Sequence, residues 1–324
     1  MEIKDMIAEI KHKMDAAGGL KGVYFVACGG SQAAIAPGKY VLDCEAQNLS
    51  VKIYNSNEFV HATPRALDGR YIVVACSLKA TAETVEAVRV ANARGAITVA
   101  MTGSTDTGMA EVGQYVVTYS NGDEQIYSQS NQSQVLRIAF EILHQFENWE
   151  KHEAAMAGFT AIDGLVADAK RNMLPAAQAF AERYQNDEIF YVLGSGPLYW
   201  TAYTMENCHF LEMQARHAVL VHSGEYFHGP FETTGHDLAM ILLMSTGRTR
   251  PLDERALTFL QKHAGRHVVI DARDTEIEGR IDPSVAEYFN SAIMIPIERF
   301  FVSQLAEIRG HPMETRRYMW KVPY

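Results

Sequence analysis

The feature that most constrains the fold is a repeated pattern of apolar strand-like runs, most of which end in a glycine or serine loop before a helical segment. The runs occupy residues 23–27, 71–75 and 97–101 in the first half of the chain and 189–193, 240–244 and 267–271 in the second. Corresponding runs lie about 170 residues apart, which indicates a duplicated architecture. Because near-continuous apolar strands alternating with helices are typical of parallel sheets covered on both faces, the sequence predicts an α/β protein with two such sheets.

A long helix is predicted to connect the two halves. Its apolar residues step by three and four along one face, at Val135, Ala139, Ile142, Phe146 and Trp149. A chain of 324 residues also exceeds what one hydrophobic core usually supports. We therefore expect a first domain at residues 1–170, which includes the connecting helix, and a second domain at residues 171–324.

Charge and hydropathy argue against several classes of partner. The formal net charge of −10 gives no global attraction to nucleic acid or to anionic lipid. The longest strongly apolar run, residues 238–244, is far shorter than a membrane span, and residues 1–15 read as an amphipathic helix rather than a signal peptide. The four cysteines show neither metal-type pairing nor the density of a disulfide scaffold. We expect a soluble cytoplasmic protein without a nucleic-acid or membrane partner.

Glycines, hydroxyl side chains and a lysine follow the first two strands of the first half. They are Gly29, Gly30, Ser31, Ser77, Lys79 and Thr81. Ligands of open α/β sheets bind at the carboxyl ends of the strands, and helix starts favour anions. Because the chain as a whole is acidic, a phosphate would have to be held by such local amides and hydroxyls. Taken alone, a glycine loop is more often a tight turn than a phosphate site, and Ser and Thr at a helix start often serve as ordinary caps.

An acid and an imidazole form the second candidate site. Glu212 lies sixteen residues before His228, which belongs to the glycine- and aromatic-rich stretch 222–230. A carboxylate and an imidazole that meet in one pocket can move protons at carbon and open a sugar ring near neutral pH. These two residues alone leave a structural reading open, with the glutamate on a solvated helix face and the histidine in a loop.

Five stretches together resemble the sugar isomerase (SIS) family with two tandem SIS halves. They are residues 28–31, residues 77–84, Glu212, residues 224–230 and the tail 317–321. The resemblance covers essentially the whole chain and is strongest to bacterial deglycases that split 6-phosphorylated Amadori compounds, the fructose–amino acid 6-phosphates. It implies two flavodoxin-like parallel sheets flanked by helices. It also implies a homodimer or higher homo-oligomer whose active site is shared, with no metal and no other cofactor.

The resemblance also implies a mechanism and a set of contacts. Glu212 would move a proton from C1 to C2 through an enaminol, and His228 would open the sugar ring. The resulting aldimine would be hydrolysed to glucose 6-phosphate and a free amino acid. The expected substrate-binding set is Gly29, Gly30, Ser31, Ser77, Lys79, Thr81, Glu225, Arg317 and Lys321. Candidates to line the amino-acid end of the substrate are Arg216, His217, Glu225 and Tyr226.

The sequence departs from the family pattern in two places, and it leaves two other functions open. Where the family usually reads S-x-[SK]-G-x-T, this chain has residues 77–81 as SLKAT, without the glycine and one residue shorter. His209 stands where aminosugar synthases carry a lysine, and we expect it to be a packed helix histidine. An aldose–ketose phosphate isomerase or aminosugar-phosphate deaminase would use the same glutamate and histidine. A phosphosugar sensor would need neither.

Overall fold

A computed structural model describes residues 1–120, 122 and 125–323 of the chain, which divides into two compact units, Met1–Thr160 and Ala161–Tyr324. The expected boundary at 170/171 was therefore placed too late, because it falls inside the continuous helix Ile162–Tyr184 of the second unit. The helix predicted to connect the halves is also shorter than expected. It spans Asn131–Glu147 and stops at Asn148, whose left-handed φ of 54° ends it before Trp149.

The first unit alternates strands and helices. Its strands are β1 (Gly22–Ala27), β2 (Ser50–Asn55), β3 (Tyr71–Cys76), β4 (Ile97–Thr102) and β5 (Tyr115–Thr118). Its helices are α1 (Ile3–Ala16), α2 (Gly29–Glu45), α3 (Ser56–His61), α4 (Ala82–Ala93), α5 (Gly108–Val112), α6 (Asn131–Glu147) and α7 (His152–Gly158). Within the described part of the chain the strands form one parallel sheet in the order β2-β1-β3-β4-β5. This is the flavodoxin-like order, as predicted.

The second unit repeats the same plan. Its strands are β6 (Ile189–Gly194), β7 (His217–His222), β8 (Ala239–Met244) and β9 (Arg266–Asp271). Its α-helices are α8 (Ile162–Tyr184), α9 (Tyr199–Tyr203), α10 (Arg250–His263), α11 (Ile277–Arg280) and α12 (Asn290–Ile308), and a π-helix, Thr204–Met213, continues α9. The described strands pair in parallel in the order β7-β6-β8-β9, which matches the first four positions of the first sheet.

The two faces of the second sheet carry different elements. Phe190 of β6 stacks on Phe210 of the π-helix, with ring centroids 4.2 Å apart. Leu193, which points to the opposite face of β6, joins Val221 and Tyr226 in the apolar core cluster that includes residues of α10. The π-helix and α12, which pack against each other, therefore cover one face, and α10 with the segment after β7 covers the other.

In the described part of the chain, no helix is both long enough and apolar enough to cross a membrane.

Candidate active site

In each sheet, the connections that follow the two central strands run toward opposite edges of the sheet. This reversal creates a switch point at the carboxyl ends of these two strands. In the first sheet this point lies between β1 and β3, where the loops carrying Ser31 and Ser77 begin. Open α/β sheets bind ligands at this place. The topology therefore brings the two predicted loops of the first half to one edge of one sheet.

A chain of hydroxyl groups lines the second of these loops. The backbone N–H of Thr81 donates to Ser77 Oγ at 3.0 Å, and Thr81 Oγ1 lies 3.2 Å from Thr84 Oγ1. Thr84 in turn lies 2.9 Å from Ser56 Oγ at the carboxyl end of β2. Ser77 and Ser56 are buried, whereas Thr81 and Lys79 are exposed. Sequence reasoning missed Ser56, although the flavodoxin-like order, with β2 beside β1, would have placed it here.

The first loop is shaped by a glycine. Gly29 has a φ of 54°, a left-handed conformation that a side chain would strain, and α2 starts there. Ser31 in the first turn of α2 reaches the Cys76 thiol and the Tyr119 hydroxyl. Burial raises the pKa of Cys76 to about 11 and also raises that of Tyr119, so both groups stay protonated and neutral. The loop can therefore accept an anion without a fixed negative charge from these two groups.

The switch point of the second sheet is closed by the chain's own carboxylate. Asp253 of α10 is fully buried, and its Oδ1 accepts a hydrogen bond from Ser195 Oγ at 2.7 Å. Burial raises the pKa of this carboxyl, although the hydroxyls of Ser223 and Ser195 partly offset the effect. A Cβ on Gly196 would come within 2.1 Å of Thr249 Oγ1, so no space is left between the two loops. The switch point of the second sheet is therefore filled, whereas the corresponding edge of the first sheet presents hydroxyl groups.

Glu212 lies near the end of the π-helix rather than on an α-helix. The wide turn is visible in the hydrogen bond from Gln214 N to His209 O, which spans five residues at 3.0 Å. π-helical turns are rare and are frequent at functional sites. Tertiary contacts support this one, because Arg309 donates to Gln214 Oε1 at 2.7 Å and Gln214 Nε2 donates to the carbonyl of His311 at 2.9 Å.

His209 is packed in the same helix, as the sequence suggested. Only 3% of it is exposed, and its Nδ1 lies 2.7 Å from Glu298 Oε2 of α12. Arg299 Nη1 approaches the other ring nitrogen at 3.5 Å. Burial raises the pKa of Glu298, and the neighbouring His209 opposes that shift. Together these contacts fix the π-helix to α12 one turn before Glu212.

The described contacts of Glu212 include one cation, and it comes from the C-terminal tail. Glu212 Oε1 lies 2.7 Å from Arg316 Nε, and the two side chains are 21% and 13% exposed. The neighbouring Arg317, predicted from the sequence, is exposed, and its guanidinium lies over the ring of Tyr318. Lys321 is also exposed, and its Nζ donates to the carbonyl of Arg316 at 2.5 Å. The tail thus brings Lys321 beside the arginine that meets Glu212.

His228 lies on the other side of the same sheet. Glu212 precedes the start of β7 and His228 follows its end, and the six residues of this strand span roughly 17 Å. The loop of His228 is anchored on the α10 face, because Tyr226 is buried there and the Arg255 guanidinium lies 4.1 Å from the Phe227 ring. Within one chain the glutamate and the histidine therefore flank β7 from opposite ends. The His228 side chain is exposed.

The candidates for the amino-acid end separate into different environments. Tyr226 was a wrong choice, because it is fully buried and its hydroxyl is bonded to Thr234. Arg216 forms an ion pair with Glu188 Oε1 at 2.5 Å. Glu225 and His217 are exposed.

Two flavodoxin-like units, the first with a hydroxyl-lined switch point, match the architecture predicted for tandem SIS halves. Residues 20–141 match the SIS domain. The chain belongs to the SIS domain family.

Similarity to individual proteins extends over the full length. The chain is 37% identical over 100% of its residues to the fructosamine deglycase FrlB of Bacillus subtilis (strain 168), and it covers 97% of that protein. It is 25% identical to the fructoselysine 6-phosphate deglycase of Escherichia coli (strain K12), over 91% of this chain and 84% of that protein. A solved structure of a candidate phosphosugar isomerase from Salmonella typhimurium LT2 is 39% identical, with a TM-score of 0.94 over 99% of this chain and 98% of that one.

Proposed function

We propose that the chain is a deglycase that hydrolyses a 6-phosphorylated fructosamine, a fructose–amino acid 6-phosphate, to glucose 6-phosphate and the free amino acid. The observation that carries the proposal is Glu212, a partly exposed carboxylate on a π-helix, in a chain 37% identical over its whole length to a fructosamine deglycase. Such an enzyme acts in the cytoplasm, because sugar phosphates do not cross membranes unaided.

The proposed chemistry uses one carboxylate for two proton transfers. After His228 opens the ring, Glu212 removes a proton from C1 while the C2 carbonyl oxygen is protonated, which gives the enaminol. Glu212 then returns its proton to C2, and the nitrogen lone pair forms the C1–N double bond of the protonated aldimine. Water adds to C1 and the amino acid leaves with its nitrogen. The remaining aldehyde is glucose 6-phosphate.

The phosphate is proposed to be held by the first unit. Ser31, Ser77 and Thr81 supply hydroxyls, and the backbone at Gly29 and Gly30 opens α2, whose start favours an anion. Lys79 is exposed on the same loop and adds a positive charge. Glu225, Arg317 and Lys321 complete the proposed substrate-binding set.

The active site is further proposed to be shared between the subunits of a homodimer or higher homo-oligomer. The separation of Glu212 and His228 across β7 supports this arrangement, since ring opening and proton transfer act on the same sugar. Each chain exposes His228 on the α10 face of its second sheet. The His228 of a neighbouring subunit can therefore complete the site that contains Glu212.

A substrate panel tests the function. The purified protein is incubated with 6-phosphorylated Amadori compounds of several amino acids, and separately with fructose 6-phosphate and with glucosamine 6-phosphate. The deglycase releases glucose 6-phosphate and free amino acid only from the Amadori compounds. Conversion of fructose 6-phosphate, or ammonia release from glucosamine 6-phosphate, with none of the Amadori compounds cleaved would instead identify an isomerase or a deaminase. Binding without any turnover would identify a sensor.

A further inference from the structure

Arg316 is held in place by its own tail. Its Nη1 donates to the backbone carbonyls of Met313 and Thr315, each at 2.8 Å. The tail itself is tied to the second unit at Gln214, whose Nε2 donates to the carbonyl of His311. These contacts fix the guanidinium plane and direct its Nε edge toward Glu212.

The Nε group of Arg316 meets Glu212 in a poorly aligned contact. The atom is buried and has no acceptor in line with its N–H, although Glu212 Oε1 lies 2.7 Å away. A buried donor whose acceptor is out of line is only partly satisfied, and a well-placed ligand oxygen would complete its hydrogen bond. An arginine that is fixed by backbone carbonyls through Nη1 and keeps its Nε edge clear of them is suited to a planar carboxylate.

A second guanidinium adds positive charge at the same place. Arg299 is exposed, and its Nη1 lies 3.5 Å from the sulfur of Met213, the residue after Glu212. Arg299 of α12 and Arg316 of the tail therefore bring two positive charges to the end of the π-helix, alongside the carboxylates of this region. These positive charges favour an anionic group beside the proposed base.

We propose that Arg316 binds the carboxylate of the amino acid carried by the substrate, and so decides which fructosamines the enzyme accepts. The inference rests on the proposed function. The substrate nitrogen is bonded to C1, the carbon from which Glu212 takes its proton. When the amino acid is linked through its α-nitrogen, the carboxylate carbon lies two bonds beyond that nitrogen. Any anion bound by Arg316 lies next to Glu212, so the substrate carboxylate replaces Glu212 as the partner of Nε and leaves the base free.

The test compares an acid with its amide. The Amadori compound that the substrate panel shows to be cleaved fastest is prepared in two forms, with the free carboxylate and with the uncharged carboxamide of the same amino acid. The ratio of kcat/KM for the two forms is measured in the parent protein, in Arg316→Met and in Arg316→Lys. Arg171→Met is the control, because Arg171 pairs with Asp168 on the exposed side of α8.

The parent and Arg171→Met are expected to prefer the acid by about 10- to 100-fold, the contribution of one charge-assisted hydrogen-bonded pair. In Arg316→Met the ratio falls close to one, and Arg316→Lys keeps part of it. If Arg316→Met slows both forms equally, Arg316 only positions Glu212 and the inference is wrong. If the parent protein cleaves no Amadori compound at all, the proposed function itself fails and this inference with it. An unchanged melting temperature in Arg316→Met and in Arg316→Lys shows that the fold of these variants is intact.

Discussion

At the scale of single residues, function depends on which of several similar neighbours meets the site. The tail carries Arg316 and Arg317 in succession, and only the first contacts Glu212 in the described structure. His209 and Glu212 lie three apart in one helix, yet His209 is buried against Glu298 and Glu212 is partly exposed. Side-chain type alone does not separate these roles, because they follow from where each residue points.

Replacing Glu212 with glutamine should stop proton transfer but keep the shape of the side chain. We expect turnover of the best Amadori compound to fall by ~10²–10⁴-fold, with the substrate dissociation constant changed much less. Steady-state kinetics and calorimetric binding measure the two effects. Glu314→Gln is the control, since Glu314 is exposed in the same tail. Near-parental turnover in Glu212→Gln would remove this residue from the mechanism.

Replacing Ala80 with glycine should not destabilise the protein. Its φ of 55° lies in the left-handed region, which costs a non-glycine residue about 1–2 kcal/mol, more than the added chain entropy of a glycine. We expect Ala80→Gly to leave the free energy of unfolding equal to or up to ~1 kcal/mol above the parent's. Ala82→Gly in the first turn of α4 is the matched control and should lower it by ~0.5–1 kcal/mol. Urea titration measures both, and a loss in Ala80→Gly as large as in the control would contradict the prediction.

At the scale of elements, two equivalent helix starts have diverged. Ser77 and Thr81 precede α4 with the same spacing that Ser245 and Thr249 have before α10. In α10, however, Asp253 turns inward and takes the hydrogen bond of the neighbouring loop. The first start can therefore offer its hydroxyls to an anion, whereas Asp253 places a carboxylate at the second, where Ser245 Oγ and Thr249 Oγ1 are buried without a hydrogen-bond partner in the described structure.

The buried Asp253 should make stability depend on pH in a definite direction. Burial raises the pKa of this carboxyl in the folded state, so the folded chain binds more protons than the unfolded chain above the usual value of 3.8. The protonated carboxyl therefore contributes to the free energy of unfolding. This contribution is fully present below the usual pKa value and is lost as the pH rises through the raised folded-state pKa. Asp253→Asn carries no such proton, so its free energy of unfolding should rise relative to the parent's over this window.

Urea unfolding of both proteins across about pH 4 to 7 measures the difference. The exposed Asp106→Asn serves as the control and should follow the parent at every pH. A pH-independent difference between Asp253→Asn and the parent would show that burial does not raise the pKa of this group.

At the scale of the whole molecule, the second sheet separates the two residues of the proposed mechanism. Glu212 belongs to the face covered by α12 and the π-helix, and His228 belongs to the face covered by α10. The strand between them, β7, adds its full length to the separation. This separation is the observation behind the proposed shared site.

Mixing two inactive variants tests the shared site. Glu212→Gln and His228→Asn are combined under conditions that let subunits exchange, with exchange checked by differently tagged chains. If each site takes its glutamate and histidine from different subunits, a mixed dimer contains one site with both lesions and one with neither. Activity in the isolated hybrid should then return toward half of the parent value. A hybrid that stays inactive would mean that each chain supplies both residues to its own site.

The sequence by itself determined the fold of each half. Apolar runs followed by glycine or serine loops can be read locally, because buried parallel strands need continuous apolar residues and the loop chemistry follows directly in the chain. The same local signals placed Ser31 and Ser77 at strand ends. The comparison with the SIS family and its deglycases supports the fold and the class of function predicted from these motifs.

Only the tertiary structure decided which distant groups meet. The pairing of Glu212 with Arg316, and the closure of the second switch point by Asp253, join residues that no local pattern connects. The π-helix depends on support from α12 and the tail, so helical periodicity alone does not predict it. The position of Glu212 and His228 at opposite ends of β7 is also decided by the tertiary structure. Sequence spacing measures distance along the chain, whereas strand direction and sheet face determine distance in space.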